Sequence, residues 1–244
     1  MIEIRELSKS FGTRKVLDKV SFEVGASEVV FVLGKSGVGK SVLLKNIVGI
    51  LEPDSGSVRI ESKTVTSDRA VLKEIRKTCG MVFQFPALID SLSVKENLKL
   101  GLRGHQTLDS EASMNEKAIS TLKLCGLPES LLEKFPADLS FTMQKRVSVA
   151  RALALDPKFL LFDEPTTGLD PVLTAQTNEL IRHLAKVSRV GIIVVSHDMT
   201  SAIHFAHKII LLEEGRVAFS GGGEEFRKSK VPLAVSFLKE AHVF

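Results

Sequence analysis

Tryptophan and tyrosine are absent from this 244-residue chain, and cysteine occurs only at positions 79 and 125. Neither cysteine belongs to a CxxC pair or lies beside a histidine cluster. That excludes a disulfide framework and a structural zinc site, and predicts reduced thiols in a cytosolic protein. Apolar runs of the ~18 to 20 residues needed to span a bilayer are also missing. The opening, MIEIRELSKSFG, carries acids where a signal peptide has a basic and then an apolar stretch. If the chain works at a membrane, another polypeptide supplies the spanning part. Excess charge is small: 33 Lys and Arg against 29 Asp and Glu leave +4. This is too little for a nucleic-acid footprint, though a small polyanionic ligand stays open. What the chain does have is 44% hydrophobic residues, enough for the core of one large domain or two small ones.

Period-two alternation at Ile2 and Ile4, and again at Val20, Phe22 and Val24, predicts antiparallel strands with a turn over Ser10 to Thr13. Glu28 to Leu33 is a continuous apolar run ending in glycine-rich sequence, which predicts a strand buried on both faces and a helix over about Ser41 to Ile50. Similar runs at Phe159 to Phe162 and Gly191 to Val195 are followed by helix-like segments over about Pro171 to Ser188 and Thr200 to His207. That alternation predicts a parallel α/β sheet. From about Ile89 to Leu155 the periodicity is helical, broken at Gly126 to Pro128 and at Phe135-Pro136, and predicts a helical insertion. After Ser220 the glycines 221–223 and the charged stretch to Lys230 predict a turn and a short terminal helix.

Chemistry concentrates at the ends of the apolar runs. Gly34, Lys35, Ser36, Gly37, Val38, Gly39, Lys40 and Ser41 fit G-x-x-x-x-G-K-[ST] at every position, between a buried strand and a helix start. Glycine lets the backbone wrap a phosphate with N–H groups, and the helix start adds the positive end of its dipole. Lys40 then reaches the β- and γ-phosphates, and Ser41 can bind Mg2+. The run from Phe159 ends in Asp163 and Glu164. Asp163 suits the acid that holds Mg2+ beside a phosphate loop, and Glu164 can polarise the attacking water. A third run ends in Ser196-His197-Asp198, placing His197 at the ligand-binding edge of the sheet as a candidate sensor of the γ-phosphate. Gln84 follows another short apolar run and gains meaning only from this set.

In this order, along nearly the whole length, the chain resembles the nucleotide-binding subunit of an ABC transporter. The resemblance implies a P-loop NTPase fold: a RecA-like α/β core with an N-terminal antiparallel β subdomain (together residues 1–88 and 155–244) and a helical subdomain (89–154) carrying a signature loop. It identifies Lys40 and Ser41 with the Walker A residues, Gln84 with the Q-loop glutamine, and Asp163 and Glu164 with the Walker B acids. Gly168-Leu169-Asp170 matches the D-loop, and His197 the switch histidine. It implies Glu164, His197 and Gln84 as the catalytic set, Ser41, Gln84 and Asp163 around Mg2+, and Phe11 and Val16 with residues 34–41 around ATP. It also implies a head-to-tail homodimer sandwiching two ATP molecules, membrane-spanning permease partners, and a place on the cytoplasmic face of the inner membrane. Nucleic acid is not among the implied partners.

Two positions depart from the family pattern. The family usually stacks adenine on a tyrosine; here Phe11 holds that position, and stacking needs only the ring. Alternatively Phe11 packs on its own strand. The family signature LSGGQ reads Leu139-Ser140-Phe141-Thr142-Met143, keeping the serine that would meet the partner subunit's ATP but neither glycine. Because Phe141 and Thr142 cannot take positive φ without strain, slow hydrolysis with ordinary ATP affinity is expected.

Residues 87–94 with Glu96-Asn97, Met143, and the Ser196 to Met199 segment followed by Ala202 resemble ATPases of Mla-type phospholipid-trafficking systems, which implies a lipid-binding or substrate-binding protein in the complex. Importers of methionine or polar amino acids share most of the other motifs and remain the alternative, as does a nucleotide-binding regulator that barely hydrolyses. Ribosome-acting or DNA-repair ABC proteins usually carry two nucleotide domains or a long coiled coil, for which 244 residues leave no room. Phe83, Phe85, Leu88 and Ile89 are candidates for the permease contact, or they fill the junction between core and insertion.

Overall fold

The computed structural model describes residues 1–102 and 110–240; residues 103–109 of the expected helical insertion lie outside these. Among the described residues ten strands form two sheets. Strands β1 (Ile2–Phe11), β2 (Arg14–Val24), β4 (Ser55–Ile60) and β5 (Lys63–Thr64) make an antiparallel sheet in the order β2-β1-β4-β5. Strands β3 (Val29–Leu33), β6 (Cys79–Val82), β7 (Phe159–Asp163), β8 (Gly191–Ser196), β9 (Lys208–Glu213) and β10 (Arg216–Gly221) make the second sheet, ordered β10-β9-β3-β8-β7-β6. Its four pairings from β9 to β6 are parallel; β10 returns antiparallel on β9 through a turn at Glu214-Gly215. The sheet is therefore mixed, where the apolar runs alone predict a parallel one.

Helices α1 (Lys40–Ile47), α2 (Arg69–Thr78), α3 (Val94–Lys99), α4 (Glu111–Leu124), α5 (Phe141–Leu153), α6 (Pro171–Val187), α7 (Met199–Phe205), α8 (Gly223–Arg227) and α9 (Pro232–Glu240), with short 3-10 helices at Glu129–Leu131 and Pro136–Asp138, complete the described fold. The expected helix to Ile50 stops earlier, at Ile47. Gly49 takes φ 64°, and the Gly49 and Ile50 N–H groups fold back onto Asn46 O and Lys45 O, a glycine-terminated helix end. A further helix, α9, follows the expected short terminal one.

Alternation along the buried strands decides how the layers pack. Val29, Phe31 and Leu33 of β3, with Ile192 and Val194 of β8, face one core; Val30 and Val32, with Ile193 and Val195, face the other. The first core continues without a break into the helical segment through Leu98, Ala118, Leu122 and Val147, and takes in Leu233 and Leu238 of α9. The second lies under the antiparallel sheet and α1. With both faces covered, β3 and β8 are buried at every residue, as their unbroken apolar runs require. Each fully buried aliphatic or phenyl side chain contributes about 1.5–3 kcal/mol, so two such layers hold the sheet rigid. Both cysteines are buried, and burial pushes each thiol up to about 12, leaving them inert as nucleophiles.

Candidate active site

Topology gathers into one row what the sequence scatters. In the order β3-β8-β7-β6, the carboxyl ends of four adjacent parallel strands lead into the phosphate loop, His197, Asp163-Glu164 and Gln84, the edge at which open α/β sheets bind ligands. They surround an open cavity of about 620 Å3.

The loop from Gly34 to Gly39 wraps because its glycines go where other residues cannot. Gly39 sits at φ 112° with Val16 O 2.8 Å from where a Cβ would lie; at Gly34, φ 156°, a Cβ would come within 2.7 Å of Leu212 O. Lys40 begins α1 and is only 7% exposed. Its ammonium donates to Gly34 O at 2.8 Å and Lys35 O at 3.2 Å and lies 3.7 Å from Glu164 Oε1. Burial draws its pKa below the usual lysine value, against the opposing pull of Glu164. Ser41 Oγ donates to Asp163 Oδ1 at 2.9 Å. Burial raises the Asp163 carboxyl, and the Ser41 bond acts against that shift. A hydroxyl and a half-buried carboxylate converging beside a phosphate loop are the hard oxygen donors that suit Mg2+.

Glu164 leaves the strand at φ 51°, its N–H held by Val195 O at 2.9 Å. This sharp turn swings its carboxylate back over the phosphate loop. Oε2 accepts from His197 Nδ1 at 2.8 Å and Thr167 Oγ1 at 3.3 Å, so the imidazole carries its proton on Nδ1. Gln84, two residues past β6, lines the same cavity. So do Phe11 and Val16. Phe11 is 48% exposed at the hairpin turn and belongs to neither core; its ring lies 5.8 Å from the ammonium of Lys9 on the same strand, so it borders the cavity and also meets its own strand. Sequence reasoning missed Arg14 and Thr167, which also line the cavity; Arg14 Nη2 donates to Gly37 O at 3.3 Å. The signal available for Arg14 was its place directly across the hairpin from Phe11.

Elsewhere one expectation needs correction. Ser140 is the N-cap of α5, its Oγ accepting from Met143 N at 3.3 Å, and Phe141 and Thr142 are the first two helical residues. Neither takes positive φ, so the expected backbone strain is absent; the first turn of a helix asks for ordinary right-handed φ. Any handicap there comes from side-chain bulk. Asp170, the last residue of the D-loop match, caps α6, accepting from Val172 N and Leu173 N at 2.8 and 2.9 Å. Phe85 is 68% exposed, whereas Phe83, 44% exposed, borders the cleft between Val82 and Phe162 of the core and Thr142 and Val149 of α5; Leu88 packs on the core beneath. Among the described residues no helix is long and apolar enough to cross a membrane.

The ABC transporter family matches residues 17–167, more than half of the chain. A probable ribonucleotide transport ATP-binding protein, mkl, of Mycobacterium leprae (strain TN) is 36% identical over 97% of this chain and 68% of its own length. The chloroplastic protein TRIGALACTOSYLDIACYLGLYCEROL 3 of Arabidopsis thaliana is 37% identical over 97% of this chain and 73% of its own. Among solved structures, a dimeric post-hydrolysis state of the ATP-binding cassette MJ0796, bound to ADP and Pi, superposes with a TM-score of 0.81 at 30% identity, covering 91% of this chain and 98% of that one. Matched by the family over residues 17–167 and by relatives and solved structures along nearly its whole length, the chain belongs to the ATP-binding subunits of ABC transporters, an ABC ATPase.

Proposed function

We propose that the chain binds ATP with Mg2+ between two copies of itself and that hydrolysis there drives a membrane-spanning permease moving phospholipid. The observation that carries the hydrolytic part is the Glu164 carboxylate, fixed by His197 and Thr167 and set 3.7 Å from the Lys40 ammonium. In that position it polarises a water for in-line attack on a γ-phosphate held by Lys40 and the loop N–H groups. Ser41 and Asp163 would hold Mg2+, with Gln84 as a further oxygen donor; the ion would neutralise charge developing on the phosphates. Phe11 and Val16 offer an apolar seat for adenine at the open end of the cavity. Lys40→Ala is expected to weaken ATP binding on the order of 10- to 100-fold, the worth of a charge-assisted contact to phosphate. Titration with a fluorescent ATP analogue reads this, and unchanged affinity counts against the site.

The phospholipid reading is supported by the segment after Gln84. Asn97 is fully buried and ties this turn together: Nδ2 donates to Ile89 O, Leu92 O and Ser93 O, while Oδ1 accepts from Ile89 N. Ser93 and Glu96 form a reciprocal cap on α3. The turn leaves Ile89 exposed at the surface, as are Phe83 and Phe85 a few residues before it, and these apolar side chains would offer contacts to a permease helix. The glycerolipid in the name of the Arabidopsis relative points the same way, whereas the name of the mycobacterial one points to ribonucleotides. The chain is expected at the cytoplasmic face of the inner membrane only while its permease is present. Cell fractionation with and without the permease tests this, and Phe85→Asp is expected to release the chain while leaving its basal ATPase rate unchanged. Membrane association that survives loss of every candidate permease would instead favour direct lipid binding. Vesicle assays that find ATP-dependent movement of methionine, with phospholipid left in place, would replace the substrate.

A further inference from the structure

Lys145 is a buried cation without a carboxylate partner among the described residues. It stands on the second turn of α5, and its side chain is 7% exposed. The long stem runs back toward the helix N-terminus, as helical side chains do. Its ammonium donates to Pro165 O at 2.8 Å and Thr167 O at 2.9 Å. Phe141, the first residue of the helix, closes the other side with its ring centroid 5.1 Å from Nζ, within cation–π range. Burial draws the Lys145 pKa below the usual lysine value, so keeping the charge there depends on those carbonyls.

The two carbonyls belong to the segment that fixes the catalytic carboxylate. Thr167 donates its hydroxyl to Glu164 Oε2, and its N–H lies on Glu164 O at 3.3 Å. From there the chain runs through Gly168 and Leu169 to Asp170, the cap of α6. One ammonium thus pins the start of α5, which carries Ser140 and Phe141, to the loop that orients Glu164.

We propose that Lys145 is a positioning residue that couples the two ATP sites of the dimer. The inference rests on the sandwich arrangement proposed above, in which the start of α5 faces the partner's nucleotide while Glu164 faces the chain's own. A shift of α5 on meeting a γ-phosphate in one site is carried through the two carbonyl bonds to Thr167, and so to the carboxylate of the other site. The coupling is local and physical: one rigid helix, one buried charge, two hydrogen bonds.

The test compares Lys145→Met, which keeps the stem and loses the donors, with Lys145→Arg, which keeps charge and donors. For each, kcat, KM, the Hill coefficient for ATP, single-chain ATP affinity and the melting midpoint are measured. The Met variant is expected to lose roughly tenfold in kcat, with its Hill coefficient falling from the cooperative range of a two-site dimer toward one and its single-chain affinity unchanged. Lys145→Arg is expected to recover most of both. A Met variant as fast and cooperative as the parent overturns the inference. So does one whose turnover falls only in step with its melting midpoint while cooperativity persists, since that marks a structural lysine. A parent chain with neither cooperativity nor an ATP-dependent dimer removes the sandwich itself, and the inference with it.

Discussion

Glu164→Gln is expected to slow ATP hydrolysis by ~10²- to 10⁴-fold while leaving ATP binding intact, and to accumulate a dimer closed on ATP. Glutamine has the same shape and keeps a carbonyl oxygen where Glu164 now accepts from His197 and Thr167. The turn at φ 51° and the bond from Glu164 N to Val195 O do not depend on the charge either. What the change removes is the basicity that draws a proton from water. Lys40, lying 3.7 Å from Oε1, also loses its opposite charge there, but the γ-phosphate supplies negative charge in the loaded site, so affinity is maintained. Single-turnover hydrolysis and size-exclusion chromatography with ATP read the two halves separately. Near-parental turnover would move the base elsewhere. Slow turnover without a trapped dimer would leave the base in place and weaken the sandwich.

Much of this site could be read from the sequence because its parts lie at the ends of apolar strand runs, where local pattern and chemistry coincide. Leu33 runs into the phosphate loop, Phe162 into Asp163 and Glu164, and Val195 into Ser196 and His197. Strand order was not visible: that Gln84, Glu164, His197 and Lys40 stand side by side is a property of crossover connections over long separations. The β9-β10 hairpin escaped notice although Lys208 to Glu213 is as apolar as its neighbours, because it closes antiparallel against an otherwise parallel pattern. Helix α9 was overlooked because its apolar residues, Leu233, Ala234 and Leu238, acquire meaning only from the core they complete. Arg14 and Lys145 were overlooked for a different reason. For Arg14 the one local signal is its place across the hairpin from Phe11; for Lys145 there is none, and the partners of both are carbonyls supplied by other segments, Gly37 in one case and Pro165 and Thr167 in the other.

Glycine at both 141 and 142 is expected to raise turnover at least ~10-fold and as much as ~10³-fold, with single-chain ATP affinity nearly unchanged. In a closed dimer the start of α5 would offer the partner's γ-phosphate its free N–H groups and the Ser140 hydroxyl, the ordinary anion site at a helix N-terminus. Helical Cα–Cβ bonds tilt toward that same end, so the side chains of Phe141 and Thr142 occupy the space through which phosphate oxygens must come. One donor held out of reach costs about 2.7–4 kcal/mol of transition-state stabilisation, or 10²- to 10³-fold. Against this gain stands the loss of the Phe141 ring over Lys145, worth about 0.5–1 kcal/mol at a partly exposed site. Glycine in the first helical turn costs up to about 1 kcal/mol per residue in stability. The first of these losses loosens the tether to Thr167 and sets the lower end of the range; the second lowers the melting midpoint without touching the transition state. Affinity stays because Lys40 and the phosphate loop belong to the chain's own site, remote in sequence from 141 and 142. Steady-state ATPase assays on the double variant and on each single change separate the contributions: Thr142→Gly alone gains without disturbing Lys145, while Phe141→Gly gains less than its bulk alone would give. A double variant no faster than the parent, or a parent already turning over near the ~10 s⁻¹ typical of enzymes, would mean that Phe141 and Thr142 leave the N–H groups open to the partner's phosphate.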